Sequence, residues 1–197
     1  MKQLRQYIRK ILLTEGMKNA SDLPEDGYVW IIDQENTFIV KIDAPSWPDH
    51  AYIKLRKYTR GCSGAWEVVY ATSPDGWGPL LYDIAMEYVG SEGIMCDRSS
   101  VSADAASVWD FYLKSRPDVK AVQLDYNKEP FVTPKDRSDD CPAYTFIKHS
   151  FNMSGNGITT DNFEGSFLDH WSTKKYIKLG GTPIIDQLNN MNILEYK

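Results

Sequence analysis

The stretch AWEVVYAT (65–72), followed by SPDGWGPLLYDIAMEY (73–88), decides how this chain is interpreted. Residues 65–72 are mostly apolar, aromatic or β-branched, which predicts a buried strand. The Pro, Asp and Gly residues after it break that strand. Pro79 suits the first turn of a helix, because its missing N–H has no intrahelical partner there. We therefore predict a strand, a tight glycine loop and a helix, in that order.

The loop between this strand and this helix favours anion binding. Several backbone N–H groups are aimed at one point there, and the positive end of the helix dipole lies at the same point. The alternative is an ordinary strand-to-helix turn, in which Gly76 and Gly78 only relieve steric strain. A lone Gly-x-Gly fits both interpretations.

The residues after the loop continue the alternation of strands and helices. GIMC (93–96) predicts a short strand parallel to the first, and VKAVQL (119–124) predicts a third. Between them, Ser102 can cap a helix, because its hydroxyl can accept a hydrogen bond from the first turn. The apolar face of that helix comprises Ala105, Val108, Trp109, Tyr112 and Leu113.

This order of elements, over about residues 27–124, resembles the core of the GCN5-related N-acetyltransferase (GNAT) superfamily. In that family the loop motif Arg/Gln-x-x-Gly-x-Gly/Ala wraps the pyrophosphate of acetyl-CoA. Here Ser73-x-x-Gly76-Trp77-Gly78 keeps both glycines and has Ser73 in place of the Arg or Gln.

The family's next helix often reads Asn-x-x-Ala-x-x-x-Tyr, and Ser102, Ala105 and Trp109 fall in that register. The resemblance implies an acyl-CoA-dependent N-acyltransferase. Glu67 would be its base, because family members often use a Glu on this strand. Tyr112 would be the acid for the leaving thiolate, in competition with Trp109. Core packing is the alternative for both aromatic residues, and a solvent-facing position is the alternative for Glu67. The residues that would contact acetyl-CoA are Val69, Ala71, Asp75, Gly76, Trp77, Gly78 and Leu80.

The N-terminal peptide MKQLRQYIRKILLTE (1–15) predicts a basic amphipathic helix, and a polar linker follows at 16–27. A membrane-surface helix, a docking peptide and a helix packed on the domain are the alternatives. The peptide also resembles the targeting peptides of internal head proteins of T4-like bacteriophages. Their prohead protease cuts after Leu/Ile-x-Glu, and Leu13-Thr14-Glu15 fits that rule. The resemblance implies a phage head or another protein partner, and a location in the host cytoplasm or the virion interior.

The beginning of the predicted core departs from the acetyltransferase pattern. YVWIID (28–33) and TFIVKI (37–42) predict two strands joined by a three-residue turn. The acetyltransferase family has two helices at this place, and they help to form the acceptor-substrate site. Their absence favours a second class of function, a non-catalytic virion or head-interior protein that uses the fold as a scaffold.

Composition argues against several classes of function. The net charge of −5 argues against a general nucleic-acid binder, and no apolar run approaches the ~18 residues of a membrane span. Cys62, Cys96 and Cys141 are widely spaced, which predicts neither a disulfide framework nor a zinc site and favours a reducing compartment. The histidines share no ligand spacing with a cysteine or carboxylate, so we expect no metal.

Together these patterns predict an α/β protein with a mixed central sheet of acetyltransferase-like topology. We divide it into the amphipathic N-terminal helix (1–15), the linker (16–27), the acetyltransferase-like core (28–124) and a partly irregular C-terminal extension (125–197).

Overall fold

The computed structural model describes residues 16–47, 49–57, 62, 64–126, 132–142, 144–146 and 166–197. The predicted helix at 1–15, with its Leu13-Thr14-Glu15 sequence, lies outside the described residues. None of the helices within these ranges has the length and apolar character that crossing a membrane requires.

Among the described residues, four strands precede the first α-helix, and strands and helices follow in a mixed order. The strands are β1 (Tyr28–Gln34), β2 (Thr37–Asp43), β3 (Ala51–Lys57), β4 (Trp66–Thr72), β5 (Ile94–Cys96), β6 (Val119–Gln123), β7 (Asp125–Tyr126), β8 (Asp140–Cys141), β9 (Lys174–Lys178) and β10 (Leu194–Tyr196). The α-helices whose bounds lie within the described residues are α1 (Gly78–Val89), α2 (Ala103–Ser115) and α3 (Pro183–Asn190). Short 3₁₀ turns occupy Ala20–Asp22, Gly90–Glu92 and Trp171–Thr173.

Eight of the strands belong to one mixed, mostly antiparallel sheet, in the order β10-β1-β2-β3-β4-β5-β9-β6. Its parallel pairs include β1 with β10 and β4 with β5. A parallel pair needs a crossover connection, which α1 supplies between β4 and β5. Strands β7 and β8 form a separate parallel pair. The α/β class is thus confirmed, whereas acetyltransferase topology stays a prediction.

The segment expected to be a C-terminal extension supplies strands to this sheet. β9 pairs with both β5 and β6, and β10 pairs with β1. By compactness the chain divides into two units. The first comprises Met1–Leu55, Tyr70–Tyr88 and Gly180–Lys197, and the second comprises Arg56–Val69 and Val89–Leu179. The last residues of the chain therefore belong to the first unit.

The first unit contains the predicted hairpin. Strands β1 and β2 pair antiparallel from Tyr28↔Asp43 to Gln34↔Thr37, and the tight turn between them has no room for two helices. Alternate residues of β1, β2 and β3 are buried, because successive side chains of a strand point to opposite faces. These residues are Val29, Ile31, Phe38, Val40, Ile42, Ala51, Ile53 and Leu55.

A distant carboxylate caps helix α3 of the first unit. Thr182 occupies the capping position, but its side chain makes no capping hydrogen bond. Instead Glu87 of α1, which is buried, accepts hydrogen bonds at Oε2 from Ile184 N and Ile185 N, both at 2.9 Å. A negative charge at a helix N-terminus is also favoured by the helix dipole. Glu87 therefore ties α1 to α3.

In the second unit the cap of α2 is confirmed, since Ser102 Oγ accepts from Ala105 N at 3.2 Å. Cys62 and Cys141 form a disulfide, with their Cα atoms 5.1 Å apart. The expectation of no disulfide was wrong, because the two cysteines are 79 positions apart and spacing alone gave no signal. Since disulfides persist mainly in oxidising surroundings, the cysteines no longer favour a reducing compartment.

Candidate functional site

The glycine loop joins the end of β4 to the start of α1, as the sequence predicts. Gly76 adopts φ +83°, a left-handed conformation that favours glycine. Trp77 N donates to Pro74 O at 3.2 Å and closes the turn. Helix α1 then begins at Gly78. Gly76 is therefore the glycine that the backbone of this loop requires.

A segment of the same unit lies on this loop. Lys18 N donates to Gly76 O at 3.0 Å. A Cβ atom built on Gly76 would lie only 2.1 Å from Gly16 O, so no larger residue fits without a shift. We call residues 16–18 the covering segment. Because a carbonyl oxygen repels an anion, a phosphate that uses Gly76 requires the covering segment to move.

The side chains of the predicted loop residues divide into two groups. Trp77 and Leu80 are buried, and the ring of Trp77 lies 4.7 Å from that of Trp47, between centroids. Ala71 and Asp75 are exposed. A ligand at this loop would therefore meet backbone groups and the exposed Asp75, while the buried side chains of Trp77 and Leu80 anchor the loop.

Glu67, the predicted base, is only 1% exposed. Its Oε2 accepts from Arg56 Nε at 2.7 Å, and its Oε1 accepts from Arg98 N at 2.7 Å. A general base must offer an oxygen to its substrate. Because Glu67 is buried and both of its oxygens already accept hydrogen bonds, a catalytic role requires its surroundings to open and admit a substrate.

The Glu67 surroundings contain a second buried charge. Arg98 is 2% exposed, and its Nε donates to Pro142 O at 2.9 Å. Its Nη1 donates to Ser172 O at short range. Nearby, burial raises the pKa of the Cys96 thiol to about 12, although Arg98 opposes that rise. Cys96 therefore stays protonated at neutral pH and is a poor nucleophile.

Tyr112, the predicted acid, is also buried, and Trp109 lies beside it. The Tyr112 ring centroid is 6.4 Å from that of Trp109 and 6.3 Å from that of Tyr176. The Arg116 guanidinium carbon lies 5.1 Å from the Tyr112 ring centroid. These contacts are typical of aromatic core packing. Both residues that competed for the acid role thus belong to one aromatic group.

The predicted site residues fall in both units. Ala71, Asp75, Gly76, Trp77, Gly78 and Leu80 belong to the first, whereas Glu67, the half-buried Val69 and Tyr112 belong to the second. Within the first, the structure brings the loop residues together and adds the covering segment. Within the second, it gives Glu67 and Tyr112 different neighbours.

Sequence reasoning missed a group of carboxylates in the second unit. Asp125, Asp139 and Asp140 each place an oxygen within 4.8 Å of the other two. The only sequence signal is the Asp139-Asp140 pair, which is ordinary in a surface loop. Comparisons of this chain with family models, curated proteins and solved structures find no match. Functional inference therefore depends on the geometry of these groups.

Proposed function

We propose that this chain binds acyl-CoA at the glycine loop and acts as an acyl-CoA-dependent N-acyltransferase. One observation carries the proposal: β4 leads through Gly76, with φ +83°, into a helix that begins at Gly78. The first N–H groups of a helix have no intrahelical acceptor, so they can bind a diphosphate together with the dipole. The same loop carries the resemblance to the acetyltransferase motif.

Two further features support a phosphate at this loop. Asp75 is exposed, so water and salt screen its repulsion of a bound diphosphate. The first-turn residues Gly78 and Leu80 provide backbone N–H groups. Gly78 leaves space as well, since a Cβ there would meet Ser73 Oγ at an ordinary 3.4 Å.

The second candidate function is a non-catalytic phage virion or head-interior protein. Three observations favour it because they argue against catalysis. Both oxygens of Glu67 are hydrogen-bonded, Tyr112 is buried, and Gly16 O lies against Gly76. In this alternative the fold is a scaffold, and residues 1–15 direct it from the host cytoplasm to the virion. Intact-mass measurement tests the alternative, because protein from mature particles should then begin at Gly16.

CoA binding to the full chain tests the first proposal. We expect millimolar CoA to raise Tm, and at a hundredfold excess over Kd the gain is about 2.7 kcal/mol. Asp75→Asn should tighten binding a few-fold by removing a nearby negative charge. The matched control is Glu195→Gln, which removes an exposed charge on β10 and should leave Kd unchanged.

Acetyl transfer to a panel of amines separates the two functions. Binding with transfer supports the enzyme, whereas binding without transfer supports a scaffold that keeps a ligand site. If CoA changes neither Tm nor any spectroscopic signal of the Trp77 region, the loop is not a CoA site and the acyltransferase proposal fails.

A further inference from the structure

The carboxylates Asp125, Asp139 and Asp140 belong to no site described so far, and we call them the carboxylate cluster. Strands β7 and β8 place Asp125 opposite Asp140 in register, and Asp139 precedes β8. One oxygen from each residue lies within 4.8 Å of the other two. Oxygens on opposite sides of a Ca²⁺ ion are about 4.6–5.2 Å apart, because each lies about 2.3–2.6 Å from the ion. The spacing therefore fits a single cation.

The carboxylate cluster is withdrawn from water. Asp125 is 0% exposed and Asp140 is 7% exposed, while Asp139 is half-buried. Like charges so close repel one another, and water screens them poorly at buried positions. A bound cation would offset this repulsion.

The side chain of Asp140 gives a second reason to expect a cation, independent of the distances between the carboxylate oxygens. Its Oδ2 pairs with Arg137 Nε at 2.6 Å. Its Oδ1 is buried and meets no hydrogen-bond donor among the residues that the structure describes. A buried polar atom in that condition costs on the order of 1–3 kcal/mol, and more when it is charged. A metal ion would supply the partner that this oxygen lacks.

Asp125 and Asp139 differ in how many donors they have. Asp125 accepts from the backbone N–H groups of Tyr126 and Val132 at Oδ1 and from Thr133 N at Oδ2, 2.9 Å away. The hydroxyl of Thr133 lies 3.1 Å from Asp125 Oδ2 and 3.0 Å from Asp139 Oδ2. A hydroxyl has one proton and can donate it to one of these oxygens at a time. Lone pairs therefore remain for a cation, above all on Asp139.

We propose that Asp125, Asp139 and Asp140 form a binding site for Ca²⁺. The donors are all oxygens, which suit hard cations and not zinc or copper. Mg²⁺ requires shorter bonds and a nearly ideal octahedron, whereas Ca²⁺ accepts irregular loop geometry with additional carbonyl or water ligands. Asp139 and Asp140 bind the ion, and Asp125, held by the backbone N–H groups of Tyr126, Val132 and Thr133, adds negative charge.

Terbium luminescence and Ca²⁺-dependent stability of the full chain test this site. Tb³⁺ replaces Ca²⁺ at oxygen sites, and Tyr126 adjoins Asp125 and can sensitise its emission. In chelator-treated protein we expect Tb³⁺ emission that Ca²⁺ displaces. A hundredfold excess of Ca²⁺ over Kd should raise Tm by roughly 5–10 °C. Absence of both responses at millimolar Ca²⁺ would overturn the proposal.

Asp139→Asn and Asp136→Asn form a matched pair of variants. Asp139→Asn should abolish both metal responses, and in EDTA it should raise Tm because it removes repulsion within the carboxylate cluster. A variant that merely unfolds would lower Tm in EDTA. Asp136 lies in the same loop and accepts from Ser138 N at 2.9 Å, so Asp136→Asn should keep both responses. Equal loss in both variants would mean general binding to acidic surface, and the specific site would be wrong.

Discussion

The glycine loop and the carboxylate cluster are opposite kinds of candidate ion site. The loop offers backbone N–H groups to an anion, and its residues, 73–80, are consecutive. The carboxylate cluster offers side-chain oxygens to a cation, and the pairing of β7 with β8 assembles it. A site built from consecutive backbone groups leaves a pattern in the sequence, whereas a site built by strand pairing does not.

The two regions also differ in how their polar groups are satisfied. At the loop, Gly76 O accepts from Lys18 N, and Gly16 O lies against Gly76. In the carboxylate cluster, Asp140 Oδ1 meets no donor among the described residues. The backbone of the loop is thus occupied by another segment of the chain, whereas the carboxylate cluster keeps one buried acceptor without a donor among the described residues.

The largest expected effect concerns the Cys62–Cys141 disulfide, because Cys141 adjoins the carboxylate cluster in sequence. Replacing Cys62 and Cys141 together with Ala should lower the free energy of unfolding by about 2–4 kcal/mol, because the disulfide constrains the unfolded chain. Cys141 directly follows Asp140, so the Ca²⁺ response should weaken while CoA affinity is kept. Urea denaturation measures the stability change. Cys96→Ala is the control for a buried cysteine outside the disulfide, and an equally large loss there would contradict the prediction.

Substitution of the two loop glycines probes the covering segment. Gly76→Ala should cost about 1–3 kcal/mol through its left-handed backbone, and it must also displace Gly16 O. Gly78→Ala should change stability by less than about 1 kcal/mol, because the added Cβ fits beside Ser73 Oγ. Denaturation curves of both variants measure these two changes in stability. Equal stability of the two would show that the covering segment does not pack on Gly76.

Glu67→Gln asks whether the buried carboxylate is structural or catalytic. The variant keeps an acceptor for Arg98 N but loses the ion pair with Arg56, whose side chain is 52% exposed. We expect a loss of about 1 kcal/mol, reduced by solvent screening of the arginine. Arg56→Gln removes the same ion pair and is the matched control. If Glu67 is a base, only Glu67→Gln lowers acetyl transfer, by about 10²–10⁴-fold; equal effects on transfer would exclude that role.

The smallest expected effect concerns Asp118, whose pKa is lowered, whereas the pKa of Asp139 in the carboxylate cluster is raised. The hydrogen bond from Arg116, followed by that from Lys178, lowers the pKa of Asp118, although partial burial opposes it. Its contribution to stability is therefore present above its unfolded pKa of about 4, and is lost as the pH falls through the lower folded value. The Asp118 side chain is 43% exposed, so the contribution is under about 1 kcal/mol.

Acid titration of Asp118→Asn checks this contrast. The variant should be less stable than the parent chain at pH 7, and the difference should shrink below about pH 4. Asp139 should behave in the opposite way without metal, because its raised pKa makes the folded state gain stability as the pH falls. The same pH dependence in Asp118→Asn and Asp139→Asn would contradict the assignment of their neighbours.

The sequence by itself determined the elements whose hydrogen bonds close within a few residues. These are the β1–β2 hairpin, the cap at Ser102, and the succession of β4, the glycine loop and α1. Apolar periodicity and the special backbone properties of Gly and Pro suffice for such elements, because each depends on its own neighbours in the chain.

Tertiary structure alone decided the partners of polar and reactive side chains. It placed Gly16 on Gly76, gave both Glu67 oxygens to Arg56 and Arg98, and paired Cys62 with Cys141. It also assembled the carboxylate cluster through the pairing of β7 with β8. Partners so far apart in sequence meet only when packing of the whole chain fixes the path of the backbone, and no local pattern encodes that path.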